Sequence, residues 1–143
     1  MYIDIIMKKS KIIFGAVVAA LGLLISLGPQ FLFHICGHGE SNFPQCYWSG
    51  QAEIAVGFII VALGICMIIV KDPKTILGLA IGVFLASLVA LFIPHSLIGG
   101  CSSPNMKCQK IGFPALTAES IVSILFSIFI VVFLDKKYKV LNG

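Results

Sequence analysis

Residues 52–98 read AEIAVGFIIVALGICMIIVKDPKTILGLAIGVFLASLVALFIPHSLI, two long apolar runs separated by the four residues KDPK. The first run covers 52–70 and the second covers 75–98. At about 1.5 Å of rise per residue, a helix of roughly 20 residues crosses the approximately 30 Å hydrocarbon core of a bilayer. Pro73 stops the helix before it, so the short turn predicts two antiparallel transmembrane helices.

Two further apolar runs, 12–33 and 115–134, flank this hairpin in a chain of 143 residues. The chain is 59% hydrophobic and 11% charged, so lipid must be the solvent for most of it. Backbone groups in lipid have to be paired within each segment, which leaves helices as the structure for these runs. The sequence predicts one domain, 1–143, that is an all-α integral membrane four-helix bundle with longer connections at 34–51 and 99–114.

The lysines predict the orientation of the bundle. Eight of the ten basic residues lie before the first run, in the KDPK turn or after the fourth run: Lys8, Lys9, Lys11, Lys71, Lys74, Lys136, Lys137 and Lys139. Lysine-rich segments stay in the cytoplasm during insertion, so both termini of this multi-pass protein are predicted to be cytoplasmic, in a cell inner or plasma membrane. Lysines at the ends of apolar runs suit lipid headgroups, so the bilayer is the predicted partner and nucleic acid is not.

The two halves of the chain share a motif. Pro29 precedes Cys36 by seven positions, and Pro94 precedes Cys101 by seven. Each following helix also opens with an alanine-glutamate pair, Ala52-Glu53 and Ala118-Glu119. A tandem duplication of a helical hairpin explains this pattern, with the copies related by an axis along the membrane normal; coincidence is the alternative.

The third run carries small residues at a strict spacing of four: Gly78, Gly82, Ala86 and Ala90. Such a stripe lets another helix approach closely. The stripe predicts either packing inside the bundle or contact with a helix of a membrane partner.

Four cysteines lie in the two longer connections, Cys36 and Cys46 in one and Cys101 and Cys108 in the other. On an oxidising face of the membrane they predict two disulfides, and of the three possible pairings we favour the one within each connection. The alternative is a thiol-disulfide enzyme, although the closely spaced Cys-x-x-Cys motif of such enzymes is missing. Cys66, inside the second run, is predicted to be a small buried apolar residue.

Three histidines, His34, His38 and His95, are weak candidates for metal ligands, because metal binding would also need free thiolates. We therefore predict no metal site. No cofactor motif occurs in the sequence, although a quinone or a haem could bind against ordinary apolar walls of a bundle.

Glu53 and Glu119 are the carboxylates nearest to the membrane-embedded parts, where an ionisable group is costly. Because its run begins at Ala52, Glu53 is predicted in the first turn of the second helix, where the helix dipole favours its charge. Glu119 is predicted roughly 6–8 Å deeper, counted from Pro114. Glu119 is therefore the better candidate for a proton or cation site, and a structural role as a hydrogen-bond partner is the alternative.

The segments 46–53 (CYWSGQAE) and 98–101 (IGGC), with Cys108, resemble the bacterial membrane family called domain of unknown function 4418. The resemblance spans nearly all of the chain. The family pattern has a histidine after the first of these cysteines, where this chain has Tyr47, so an activity that used that histidine would be missing here. Genes of the family lie near ABC transporters of the macrolide-exporter type, so the resemblance implies an accessory role in such an assembly.

Three functions follow as hypotheses from these features. The first is a non-enzymatic accessory or interaction subunit of a membrane complex such as an ABC transporter. The second is a membrane thiol-disulfide oxidoreductase that uses the four cysteines of the connections. The third is an ion or small-molecule carrier that uses Glu119.

Overall fold

The structure is a computed structural model that describes residues 2–28, 31, 45–97 and 108–142. It contains four long helices: α1 (Tyr2–Leu27), α2 (Gln45–Ile69), α3 (Pro73–Phe92) and α4 (Phe113–Asn142). Short π-helical turns continue α3 and precede α4, at Ile93–Leu97 and Cys108–Gly112. Each helix is long and apolar enough to cross a membrane. The prediction of an all-α, multi-pass membrane bundle is confirmed.

The helices form a four-cornered bundle. α1 packs along α2 and, more lightly, against α4, while α3 packs along α4 and α2. α2 and α4 therefore occupy opposite corners. We call the end where α1 ends and α2 begins the loop end, and the opposite end, which carries both termini and the turn between α2 and α3, the termini end.

The helix bounds differ from those of the apolar runs: α1, α2 and α4 each extend beyond their run on at least one side, whereas α1 ends before its run does. α1 begins at Tyr2 and passes through the lysine cluster, because lysine is a good helix former outside the hydrocarbon. It ends at Leu27, close before Pro29, which cannot continue a helix. α2 begins at Gln45, seven residues before Ala52. Hydropathy locates the part of a helix that lies in hydrocarbon and misses the turns that extend past it.

The turn at the termini end is held by a helix cap. Asp72 is the N-cap of α3, and its Oδ2 accepts hydrogen bonds from the Thr75 backbone nitrogen at 3.3 Å and the Thr75 hydroxyl at 2.9 Å. Pro73 follows at the first helical position, where its missing N–H costs nothing. On the other side of the turn, Lys11 Nζ donates to the carbonyl oxygen of Val70 at 2.9 Å and ties α1 to the end of α2.

Glycines bring α1 and α2 into close contact. A Cβ on Gly22 would lie 2.9 Å from the Gly57 carbonyl oxygen, and a Cβ on Gly57 would lie 2.8 Å from the Gly22 carbonyl oxygen. Gly15 and Gly64 repeat this reciprocal contact two turns away, at 2.7 and 2.9 Å. No side chain fits at these four positions unless the helices move apart.

The second hairpin pairs in the same register as the first. Gly22 and Ser87 are 65 positions apart, as the two proline-cysteine motifs are, and Gly57 and Ser123 are 66 apart, as the two alanine-glutamate pairs are. Where Gly22 meets Gly57 in the first hairpin, the hydroxyl oxygens of Ser87 and Ser123 lie 2.7 Å apart in the second. Buried positions also recur: Gly15, Val18, Gly22, Ile25 and Gly28 correspond to Ala80, Val83, Ser87, Ala90 and Ile93. A duplicated hairpin predicts this correspondence.

The small-residue stripe of α3 turns from the interior towards lipid. Ala90 is buried, Gly82 is half-buried with its Cβ position 3.6 Å from Leu63, and Gly78 is exposed with no atom within 4 Å of its Cβ position. Four residues advance a helix by about 400°, so such a stripe drifts by about 40° at each step. The stripe thus contributes to packing at Gly82, Ala86 and Ala90 and faces outward at Gly78. The closest approach of backbones lies between α1 and α2.

Candidate functional site

Glu53 is buried in the interior of the bundle. Its side chain is 0% exposed, and it is the ninth residue of α2, about 8 Å below Trp48 by helical rise. The expectation that Glu53 lies in the first turn of α2 is therefore wrong. Because Gln45 to Gln51 already form helix, Glu53 lies two turns inside it. Ser49, one turn before Glu53 on the same face, is buried as well.

Glu119 is the matching side chain of the second hairpin. It is the seventh residue of α4, and its side chain is half-buried, less so than that of Glu53. Its Oε2 atom is nevertheless buried, and the neighbouring Ser120 is 1% exposed. Glu53 is therefore more completely enclosed by protein than Glu119, and the relative depth of the two carboxyl groups in the membrane stays a prediction.

The two carboxyl groups belong to helices at opposite corners, and both face the interior near the loop end. A negative charge on Glu119 disfavours a second negative charge on Glu53. Glu53 and Glu119 occupy equivalent positions in the two repeats of the sequence.

The site contains buried oxygen atoms without partners. Among the described residues, six buried side-chain oxygens make no hydrogen bond: Ser26 Oγ, Ser49 Oγ, Glu53 Oε1, Glu53 Oε2, Glu119 Oε2 and Ser120 Oγ. An unpaired buried hydroxyl costs about 1–3 kcal/mol, and an unpaired buried charge costs more. All six atoms lie in the loop-end half of the bundle, on α1, α2 and α4.

Serine hydroxyls nearer the middle of the bundle have hydrogen-bond partners. Ser87 Oγ lies 2.8 Å from the Val83 carbonyl oxygen as well as 2.7 Å from Ser123 Oγ, and Ser127 donates to the Ile124 carbonyl oxygen at 2.9 Å. These are the bonds that helical serines ordinarily make in membranes. The missing partners at the loop end are therefore a property of that region and not of buried serines in this bundle.

The predicted sulfur and histidine sites fall mostly outside the described residues. Cys36 and Cys101 lie outside them, as do the side chains of Cys46 and Cys108, so the two disulfides stay a prediction. His34 and His38 also lie outside the described ranges. His95 is exposed at the loop end, and its Nδ1 lies 3.2 Å from the Leu91 carbonyl oxygen.

Cys66 differs from its prediction. It is a free cysteine on the exposed surface of α2, where the bundle faces lipid, and not a buried residue. A small apolar side chain is equally stable against lipid tails and against other helices, so hydropathy could not distinguish the two faces. Within the described ranges no group of three or more His, Cys, Asp or Glu side chains could hold a metal ion.

Comparison with known proteins identifies the family. The family described as domain of unknown function 4418 matches residues 16–134. The chain belongs to this family. The match includes α2 and α3 completely, part of α1, most of α4, the Gly22–Gly57 pair, and both Glu53 and Glu119. No curated protein and no solved structure matches the chain.

The sequence contains one signal that could have located Glu53 correctly. Ser49, Glu53, Gly57 and Gly64 are small or polar residues at steps of four and seven, the spacing of one helix face. Pro44 just before this series is a typical residue at a helix start. Read together, they predict a helix that begins near residue 45 and turns Glu53 towards another helix.

Proposed function

We propose that this protein is an ion-binding membrane protein of the carrier type, which takes up a proton or another small cation at Glu53 and Glu119. The proposal is carried by one observation: Glu53 is 0% exposed and, among the described residues, neither of its carboxyl oxygens has a hydrogen-bond partner.

An ionised carboxylate is costly to bury when it has no partner. Burying an unpaired carboxylate costs several kcal/mol even after the protein relaxes. A second carboxylate nearby adds repulsion, and Glu119 is within electrostatic reach. A proton or a bound cation removes both costs. Ionisable side chains that face the interior of a membrane bundle commonly mark ion or proton pathways for this reason.

The position of the site favours entry from the loop end. Between the carboxyl pair and the termini end lies a core of tightly buried apolar side chains, among them Ile60, Met67, Ile76, Ala80 and Ile130. A route from the termini end must pass this core, whereas Glu53 lies about two turns from the start of α2 at the loop end. Passage across the membrane would therefore require the two hairpins to move relative to each other.

The test is carbodiimide labelling of the purified full-length protein. Dicyclohexylcarbodiimide is apolar and reacts with protonated carboxyl groups in apolar surroundings. We expect peptide mass spectrometry to find the label on Glu53 or Glu119 in a metal-free buffer. The exposed carboxylates Asp72 and Asp135 serve as internal controls and should stay unlabelled. Equal labelling of all four carboxyl groups, or none on the glutamates, contradicts the proposal.

Transport is tested in sealed proteoliposomes with an imposed cation or pH gradient. The expected result is uptake by the unaltered protein and its loss in Glu53→Gln and in Glu119→Gln, with Asp135→Asn retaining it. Glutamine keeps the size of the side chain and removes its charge, so the variants should fold; helical circular dichroism and gel filtration check this. Undiminished uptake in both glutamine variants would refute carriage by this pair.

The two other hypotheses stay predictions. An accessory subunit beside a transporter predicts a partner that co-purifies in gentle detergent, and Gly78 marks the part of the small-residue stripe that faces outward. A thiol-disulfide oxidoreductase predicts that a cysteine pair of the connections is readily reduced. Neither hypothesis has an observation among the described residues comparable to the buried, unpartnered carboxyl group of Glu53.

A further inference from the structure

We infer that the cation is a hard metal ion of the alkali or alkaline-earth class, bound by Glu53 and Glu119 together with the hydroxyl groups of Ser26, Ser49 and Ser120. The inference rests on the proposed function and adds the class of ion and three further ligands. It follows from the unpartnered buried oxygens at the loop end.

The serines lie within reach of the same region. Ser49 is four residues before Glu53 and on the same face of α2, one turn or about 6 Å closer to the loop end. Ser26 packs against Gly57, one turn after Glu53, where its Cβ is 2.7 Å from the Cβ position of that glycine. Ser120 follows Glu119 directly. Three helices thus contribute oxygens to about two turns of the bundle interior.

A proton alone does not account for these atoms. Protonation neutralises a carboxyl group and adds a single donor, which cannot pair with the hydroxyls of Ser26, Ser49 and Ser120 at the same time; each unpaired buried hydroxyl costs about 1–3 kcal/mol. A metal ion accepts lone pairs from carboxylate and hydroxyl oxygens at the same time and brings water for the remaining positions. The contrast with Ser87, whose hydroxyl is within hydrogen-bonding distance of two oxygens, supports an added occupant at the loop end.

The donor atoms indicate the class of ion. All of them are oxygens, which suit Na⁺, Mg²⁺ and Ca²⁺, whereas soft metals select sulfur and imidazole nitrogen. His95 points elsewhere, with its ring nitrogen near the Leu91 carbonyl oxygen and its side chain exposed. Lys110 lies at the loop end, and its side chain is exposed. A divalent ion neutralises both carboxylates, and a monovalent ion does so together with one proton.

Titration calorimetry on the full-length protein tests the inference. NaCl, MgCl₂ and CaCl₂ are titrated in detergent, at an ionic strength matched with choline chloride. We expect saturable binding of at least one of these ions and protection of Glu53 from the carbodiimide by the same ion. Binding should weaken by about tenfold in Ser120→Ala and in Ser49→Ala, equivalent to about 1.4 kcal/mol for a lost ligand oxygen.

The matched control is Ser127→Ala, a buried serine of the same helix as Ser120 whose hydroxyl already has a backbone partner. It should bind the ion as the unaltered protein does. Unchanged affinity in both Ser120→Ala and Ser49→Ala, or equal weakening in Ser127→Ala, overturns the inference. Selective labelling of the glutamates without binding of any metal ion also overturns it, and that outcome leaves the proposed proton site standing. Absence of selective labelling contradicts the proposed function itself.

Discussion

Ser87 and Ser123 join their hydroxyl groups at 2.7 Å in the second hairpin, at the place where Gly22 and Gly57 pack backbone against backbone in the first. Equivalent positions of the two hairpins thus hold their antiparallel helices together by different contacts. In the first hairpin close packing excludes any side chain. In the second, a hydrogen bond between two side chains joins the helices.

The serine pair should stabilise the second hairpin measurably. We expect Ser87→Ala and Ser123→Ala each to lower the free energy of unfolding by about 0.6 kcal/mol, the mean for side-chain hydrogen bonds between membrane helices. The double variant should lose less than the sum, because both changes remove one interaction. Reversible unfolding in mixed micelles, followed by circular dichroism, gives these values. Ser96→Ala, at an exposed serine, is the control, and an equal loss there would contradict the assignment.

The glycines of the first hairpin should tolerate no added methyl group. Gly57→Ala places a Cβ 2.6 Å from the Ser26 backbone nitrogen, so we expect a loss of about 1–3 kcal/mol in the free energy of unfolding. Gly78→Ala is the matched control, because no atom lies within 4 Å of its Cβ position. It should leave stability unchanged or raise it slightly through helix propensity. Equal stability of the two variants would show that the close α1–α2 contact is not formed.

The cap of α3 gives a third prediction. Asp72→Ala removes the acceptor for two hydrogen bonds from Thr75 and should cost about 1 kcal/mol of stability. Asp72→Asn should restore most of this, because asparagine caps as well as aspartate does. Asp135→Ala is the comparison: it loses an exposed ion pair with Lys139 at 3.3 Å, for which about 0.3–0.5 kcal/mol is expected. A larger loss for Asp135→Ala than for Asp72→Ala in thermal unfolding would contradict the capping role.

The sequence was sufficient for the spans and the turn at the termini end. Long uncharged runs can only be helices in lipid, and Pro73 determines where α3 begins. The pattern also indicated that Glu53 and Glu119 are equivalent. The depth of Glu53 could not be read from hydropathy, because the polar and aromatic residues from Gln45 onwards continue the helix without being apolar.

The sequence also did not predict which helices the small residues pack against. Spacing within α3 suggested that Gly78 and Gly82 would allow close approach, yet a stripe shows only where bulk is missing and not which helix fills the space. The close approach occurs where glycines of two helices meet, at Gly22 and Gly57. That coincidence depends on the register of two helices, which the sequence of either one does not contain.

The most direct test of the buried carboxyl site is infrared difference spectroscopy of the protein in a buffer free of metal ions. The account predicts the C=O band of a protonated carboxyl group at a pH where exposed carboxylates are ionised. The band should shift on exchange into heavy water and disappear in Glu53→Gln, while Asp135→Asn keeps it. A spectrum without such a band, or one that Glu53→Gln and Glu119→Gln both leave unchanged, would contradict the account.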